Sequence, residues 1–332
     1  MTVVEAPELT DSDLVGSGAE RDAVAGQAPA DGDAGAGAPP RPSTPIPPDD
    51  LGAARAVART ALVVLATIAL SLVVQLTLVS GLQHRVAQRR AFDHLRNVLA
   101  QGTAPVSQTT SSGRLLALGT PIALIDIPSL HVHEVVDEGT TPGVLMSGPG
   151  HRRDTPLPGQ AGTAVIMGRQ AAFGGPFRHL QQLRPGMHIV VTTGQGTSTF
   201  AVIRLRRGGD PTPPTLGSGK GRLTLITASG TPFVPSGVLR VDADLATPTM
   251  ATPPAVIPLN GVPRSEMAMG TDASTLWTLA FWLEALTAVA VAAVWSWSRW
   301  GRHQTWIVFL PLIALVGLFV AGQVVKLLPN LL

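Results

Sequence analysis

Apolar positions along the chain follow two regimes. Three stretches are apolar on the scale of a bilayer, whose hydrocarbon core takes about 20 helical residues. Residues 60–82 carry no charge and include Ala61-Leu62-Val63-Val64-Leu65-Ala66-Thr67-Ile68-Ala69-Leu70, which predicts a transmembrane anchor. Residues 276–297 and 305–328 predict two more spans, joined as a hairpin by the polar turn Ser298–Gln304. Trp277 and Trp282 at one end of the hairpin, and Trp295, Trp297, Trp300 and Trp306 at the other, are placed for interfacial belts. A cleaved signal peptide is the rival reading of the first span, with Ser80 and Gly81 suiting a peptidase. A preceding arm of 59 residues is too long for a normal n-region, so an uncleaved anchor is expected.

Between the spans the period shortens. Residues 83–100 set Val86, Leu95, Val98 and Leu99 against Arg85, Arg89 and Arg96, an amphipathic juxtamembrane helix. From 115 to 245 the pattern is one of short β-type runs, at 121–127, 164–167, 188–193, 199–203, 223–227 and 238–243. Turns such as Pro185-Gly186, Gly194-Gln195-Gly196 and Gly208-Gly209-Asp210-Pro211 separate them. The expected fold is mainly β, a closed antiparallel barrel with short helices, plus three transmembrane helices. The Pro- and Met-containing stretch 246–271 is expected to be an extended linker between barrel and hairpin.

Charge divides the chain further. The first 59 residues hold ten acids against four bases, lack aromatics, and contain Ala36-Gly37-Ala38-Pro39-Pro40-Arg41-Pro42. Residues 1–55 are therefore expected to be a disordered acidic tail rich in Pro, Ala and Gly. Residues 83–275 hold 17 bases against 11 acids, which suits anionic surroundings such as phospholipid or wall polymer. No basic stripe with interleaved aromatics is present, so nucleic acid is not an expected partner. Arg55, Arg59, Arg299 and Arg302 favour a cytoplasmic arm while Arg85, Arg89, Arg90 and Arg96 oppose it, so charge alone leaves the orientation open.

Cysteine is absent from all 332 residues, which excludes disulfides, thiolate metal sites and every thiol mechanism. His131 and His133 alternate as half of a metal site, but no acid at suitable spacing completes it, and neither metal nor cofactor is expected. Glu284 lies inside the second span, where a carboxylate is costly; Gln323, at similar depth in the hairpin, is its expected partner.

Five blocks carry a resemblance. Val135-Val136-Asp137-Glu138-Gly139-Thr140, Gly148-Pro149-Gly150-His151, Leu157 to Gly168 (LPGQAGTAVIMG), Gly175-Pro176-Phe177 with Leu183-Arg184-Pro185-Gly186, and Leu223-Thr224-Leu225-Ile226-Thr227 stand in order and spacing as in sortases. Over residues 115–245 the chain resembles that family, most of all its actinobacterial class E. The resemblance implies a membrane-anchored cysteine transpeptidase of the Gram-positive envelope, which cuts a Leu-Pro-x-Thr-Gly-like sorting signal and passes the acyl group to an amine. Such chemistry takes a thiolate nucleophile, a His and an oxyanion-stabilising Arg.

This sequence departs from the implied set at each position. The Cys position is Ala228, the His position is Arg169, and the Arg position aligns with Val238, with Arg240 two residues on and on the same strand face. The expected function is a non-catalytic sortase homologue of the cell membrane, multi-pass, with residues 83–275 outside the cytoplasm. Arg169, Arg240 and Ser229 would line a groove for a sorting-signal peptide, a protein partner or an anionic wall component. The alternative is a transpeptidase or hydrolase with a non-cysteine nucleophile, Ser229 or Thr227, activated by His151 or His179. A third idea makes the membrane helices the working element, assembling a complex through Glu284.

Overall fold

The computed structural model describes residues 50–332. The expected disordered tail lies, for residues 1–49, outside the described residues; from Asp50 the chain is helical. Helix α1 (Asp50–Val74) passes through one π-helical turn at Gln75–Val79 and continues as α2 (Ser80–Ala100). The anchor and the amphipathic helix are thus one rod. The hydroxyls of Thr77 and Ser80 donate back to the carbonyls of Val73 and Leu76, which bends a helix without ending it. The buried Gln75 amide donates to Gln83 Oε1 at 3.1 Å across the π turn. One face of α2 docks on the barrel: Gln88 donates to the carbonyls of Val135 and Ser147 and accepts from the Val135 N–H at 2.7 Å.

Eight strands follow: β1 (Pro121–Ile127), β2 (Val132–Glu138), β3 (Gly150–His151), β4 (Gly162–Met167), β5 (His188–Thr193), β6 (Gly196–Arg206), β7 (Gly221–Thr231) and β8 (Val234–Leu245). They close into a barrel in the order β1-β2-β3-β4-β7-β8-β6-β5. Closure is as expected, but the barrel is not antiparallel throughout, since the β2–β3 and β4–β7 ladders are parallel. The reason is visible in the burial pattern. Ala164 and Ile166 of β4, and Leu223 and Leu225 of β7, enter the barrel core, while Val165, Met167, Ile226 and Ala228 form a second apolar cluster on the outer face. Strands buried on both faces carry continuous apolar runs, and such strands pair in parallel under cover.

The cover is partly the stretch 246–271. In place of an extended linker the structure has a strap tied to the barrel. Met250 N donates to Gly159 O, Gln108 Oε1 accepts from the N–H groups of Val256 and Ile257, and Asp154 Oδ2 accepts from Asn260 N. Arg153 holds Glu266, which is 1% exposed, through two hydrogen bonds of 3.0 and 2.5 Å.

Helices α3 (Leu276–Trp300) and α4 (Arg302–Leu327) turn at Gly301, whose φ of +88° suits glycine. Trp282 stacks on Phe319 with ring centroids 4.5 Å apart. Three helical segments, Ala61–Ala100, Ala273–Trp297 and His303–Leu327, are long and apolar enough to cross a membrane. Ile68 of the first packs with Leu286, Val316 and Val320 of the other two.

Candidate functional site

The outer faces of β4, β7 and β8 form the floor of a groove. Alternation along β7 turns Ile226 and Ala228 outward and Thr227 inward, and Val238 of β8 pairs with Ala228 and packs on the same outer cluster. At the end of β4 the chain turns through Gly168, where a Cβ would stand 2.5 Å from the Phe177 ring. Glycine there lets Phe177 close the barrel core while the next residue, Arg169, swings to the groove.

Arg169 is 1% exposed. Its Nε donates to Leu145 O at 3.2 Å, one terminal nitrogen to Pro142 O at 3.0 Å and the other to Leu332 O at 2.9 Å. The guanidinium also lies 5.0 Å from the Phe173 ring centroid. Desolvation brings its pKa down to about 10, so it stays a cation at neutral pH. No carboxylate side chain pairs with it among the described residues. Arg169, read from the sequence as a groove-lining residue, is engaged with main-chain oxygens and closed off from solvent.

One of those oxygens belongs to an occupant. Beyond α4, residues 329–332 make a tight turn in which Leu332 N donates to Pro329 O, and the turn sits over the groove. Leu331, 0% exposed, joins the cluster of Leu145, Val165, Met167, Ile226 and Ala228. Leu331 O accepts from Gln170 N at 2.9 Å, and Asn330 Nδ2 donates to Thr140 O and Met267 O at 2.7 and 2.9 Å. Ala228, the position where the resemblance implies a nucleophile, thus lies in a pocket filled by a leucine of the same chain.

Arg240 pairs across the sheet with Ile226 and Arg206, on the same face as Val238. It is half-buried, and its guanidinium makes no hydrogen bond or ion pair among the described residues. Desolvation and the neighbouring Arg206 lower its proton affinity, partly offset by Asp242. Arg206 itself is held by Asp242 at 2.6 Å. Ser229 and Thr227 point away from the Ala228 face, and no histidine hydrogen-bonds to either hydroxyl among the described residues. His179 lies beside Gln182, and His151 is committed elsewhere. The alternative with a serine or threonine nucleophile therefore lacks its base in this arrangement.

His151, fully buried, sits between Glu138 Oε2, 2.8 Å from Nδ1, and Pro156 O, 3.0 Å from Nε2. Burial opposes its protonation, but the charge and hydrogen bond of Glu138, with the Pro156 carbonyl, outweigh it and raise the imidazole above its ordinary 6.5. The Thr155 hydroxyl stands 3.1 Å from Nε2, yet it donates to Arg152 O and accepts from Val165 N, so it is a strut rather than a nucleophile. Neither this buried pair nor the tail was found by sequence reasoning.

Two further expectations are corrected. His131 sits in a left-handed turn (φ +53°) before β2, while His133 is on the strand 3.5 Å from Asp126, so the two histidines do not share a strand face. Gln323 accepts from Lys326 Nζ rather than facing Glu284, which is exposed on α3 in a shallow groove with Thr287, Ala288 and Val291.

Residues 125–235 match the family model of the sortase domain. Among solved structures the chain is similar to the sortase D5 transpeptidase of Clostridium perfringens, with 21% identity over 49% of this chain and 99% of that one and a TM-score of 0.40. It is also similar to sortase C-1 of Actinomyces oris (27% identity, 38% and 75% covered, TM-score 0.33). A sortase E variant of Streptomyces avermitilis matches at 29% identity, with 46% and 100% covered and a TM-score of 0.33. No curated protein matches the chain.

Proposed function

The barrel of this chain is a sortase domain, and from that premise we propose that the chain is a non-catalytic sortase homologue whose former reaction groove is a receptor. It stands in the cell-envelope membrane as a multi-pass protein, with residues 83–275 outside the cytoplasm. Its ligand class is a short peptide segment of a sorting-signal protein or other envelope partner. One observation carries the reading: Ala228, Arg169 and Val238 stand where the chemistry is implied, yet the groove still holds a peptide segment by the main-chain oxygens of Leu331 and Leu332 and one apolar side chain. Arg169 reads carbonyl oxygens, Leu145 and Ile226 accept an apolar side chain, and the unpaired Arg240 is available to an anionic group at the rim.

The topology supports the placement. Three crossings put the barrel and the residues after α4 on one side of a bilayer, and those residues are the ones seated in the groove. A sortase domain on the outer side is what the family's work on wall substrates requires.

The test is incubation of the full chain, in detergent micelles, with Leu-Pro-x-Thr-Gly and Leu-Ala-x-Thr-Gly peptides, followed by intact-protein and peptide masses. The expected result is uncut peptide and unmodified protein, with saturable binding that weakens in Arg240→Ala at unchanged melting temperature. An acyl adduct or a cut at the Thr–Gly bond overturns the receptor reading.

A further inference from the structure

The groove is full in this structure, and its occupant is built from the chain itself. Five hydrogen bonds run from residues 330–332 to three separate parts of the molecule: the β2–β3 connection at Thr140, the strap at Met267 and Gly270, and the Arg169-Gln170 corner. Leu331 supplies the apolar anchor above Ala228, and Asn330 is 0% exposed. A side chain buried that deeply, with its amide donating to two carbonyls, is a recognition element rather than an accident of a helix end.

The seam is nevertheless imperfect. Asn330 Oδ1 and Gln170 Oε1 are both buried without a hydrogen-bond partner. An unmet buried acceptor offsets about as much as a hydrogen bond contributes. The tail is thus held specifically but not as firmly as its hydrogen bonds alone imply, which is the property of a contact that opens.

We propose that the pocket formed by Arg169, Gln170, Leu145, Ile226 and Ala228 is a binding site for a Pro-Asn-Leu-Leu turn, that residues 329–332 fill it in cis, and that they must leave before any outside segment enters. The proposal rests on the receptor reading and specifies its resting state. It also ties α4 to the barrel: a displacement of α4 draws on Leu331 directly, because only Leu328 separates the helix from the turn. Opening frees one donor of Arg169 and uncovers Ala228, so the pocket then presents a cation and an apolar floor to a peptide of the same chemistry. Occupancy of the groove and the position of the helix hairpin become one equilibrium.

The absence of cysteine makes the test direct. Ala228→Cys places a single thiol under Leu331 in an otherwise thiol-free chain, and its reaction with N-ethylmaleimide reports whether the pocket is covered. Three full-length proteins in detergent micelles are compared: Ala228→Cys alone, Ala228→Cys with Leu331→Asp, and Ala228→Cys with residues 329–332 removed. The expected result is labelling faster by about tenfold or more in the second and third, the ratio set by a tail docked more than about 90% of the time. A synthetic peptide with the sequence of residues 326–332 should slow labelling of the truncated protein again. Equal labelling of all three proteins, with the strand signal in circular dichroism intact, overturns the proposal. So does protection that falls on dilution, because the tail then comes from a second copy. The peptide arms separate the two readings. Protection of the truncated protein by the tail peptide, but by no Leu-Pro-x-Thr-Gly peptide, leaves the latch standing and removes the sorting-signal receptor. Protection of full and truncated proteins alike by the sorting-signal peptide does the reverse.

Discussion

Asp137 gives the sharpest test of how burial is distributed in this barrel. It lies on β2 and is 3% exposed; its Oδ1 has no hydrogen-bond partner, and no cation pairs with it among the described residues. Desolvation by burial raises its pKa from the ordinary 3.8 to about 7. Each tenfold change in proton affinity is worth about 1.4 kcal/mol, so ionising this carboxyl in the folded protein costs up to about 4 kcal/mol relative to the unfolded chain. The folded state binds the proton more tightly, so the stability linked to this group is fully present below about pH 4. It declines as pH rises from there and is lost above about 7. Asp137→Asn keeps the shape and cannot ionise. The variant should therefore be more stable than the parent at about pH 8, by roughly 2–4 kcal/mol, with the advantage shrinking steadily toward pH 5.

The assay must follow the barrel itself. All six tryptophans lie between Trp277 and Trp306 and tyrosine is absent, so indole fluorescence reports the helix hairpin. Thermal unfolding followed by the strand band of far-UV circular dichroism, in parallel at several pH values, reads the right element. His151, whose proton affinity is also raised, loses stability in the same direction with pH, but it is common to both proteins and drops out of the difference. A difference that is flat from pH 5 to 8, or that grows on acidification, refutes the reasoning.

Glu138→Gln removes the charge partner of a fully buried imidazole, and breaking a buried pair in this way costs about 3–5 kcal/mol. The loss should show in melting curves and ease above neutral pH, as the imidazole gives up its proton; no change at any pH would count against a charged pair. Arg153→Met leaves the buried Glu266 carboxylate unpaired, so amide exchange along 246–270 should accelerate while that of β5 and β6 stays slow. Exchange unchanged in the strap would mean that other contacts hold it. In Gly317→Leu the first added carbon would already stand 2.5 Å from Ser71 Oγ, so α1 and α4 must separate, at about 1–3 kcal/mol. Faster proteolysis of the detergent-solubilised protein between residues 50 and 83 reads that separation, and wild-type resistance argues against close packing at this point.

The legible part of the molecule was the part written in local pattern. Three apolar spans need only length and lack of charge, and β1, β5 and the centres of β4, β6, β7 and β8 needed only β-branched runs between turns. β2 was missed as a strand because Asp137 and Glu138 are buried, which breaks the alternation of apolar and polar positions. β3 has two residues and no pattern at all. The strap looked like a spacer because every tie on it is non-local: Gln108 reaches Val256, Asp154 reaches Asn260 and Arg153 reaches Glu266. Single polar side chains in such pairs carry no period. The tail was hidden for a different reason, since Leu327-Leu328-Pro329 looks like the end of an apolar span. The one signal was Asn330, a polar residue among leucines that ends with no exposure to water. The resemblance implied roles for the positions of Arg169, Ala228 and Val238, but it carried no signal of what fills the space beside them.

That space and the residue at 169 depend on each other. A guanidinium without a carboxylate side chain as partner is tolerated in a dry pocket only if its N–H fork finds acceptors. Arg169 finds them in two segments far apart in sequence, at Pro142 and Leu145 of the β2–β3 connection and at Leu332, with the Phe173 ring against it. The first two acceptors belong to that one loop of the barrel, while the third arrives with the tail. An imidazole at 169 could not engage all three, because it has only two ring nitrogens with which to donate. An empty pocket would leave one arm of the guanidinium to water and Ile226 and Ala228 bare. Arg169 therefore fits together with an occupant that offers a main-chain oxygen and a leucine, and that leucine packs in one cluster with Ala228. On the receptor reading proposed above, any outside ligand has to match what Asn330, Leu331 and Leu332 already provide.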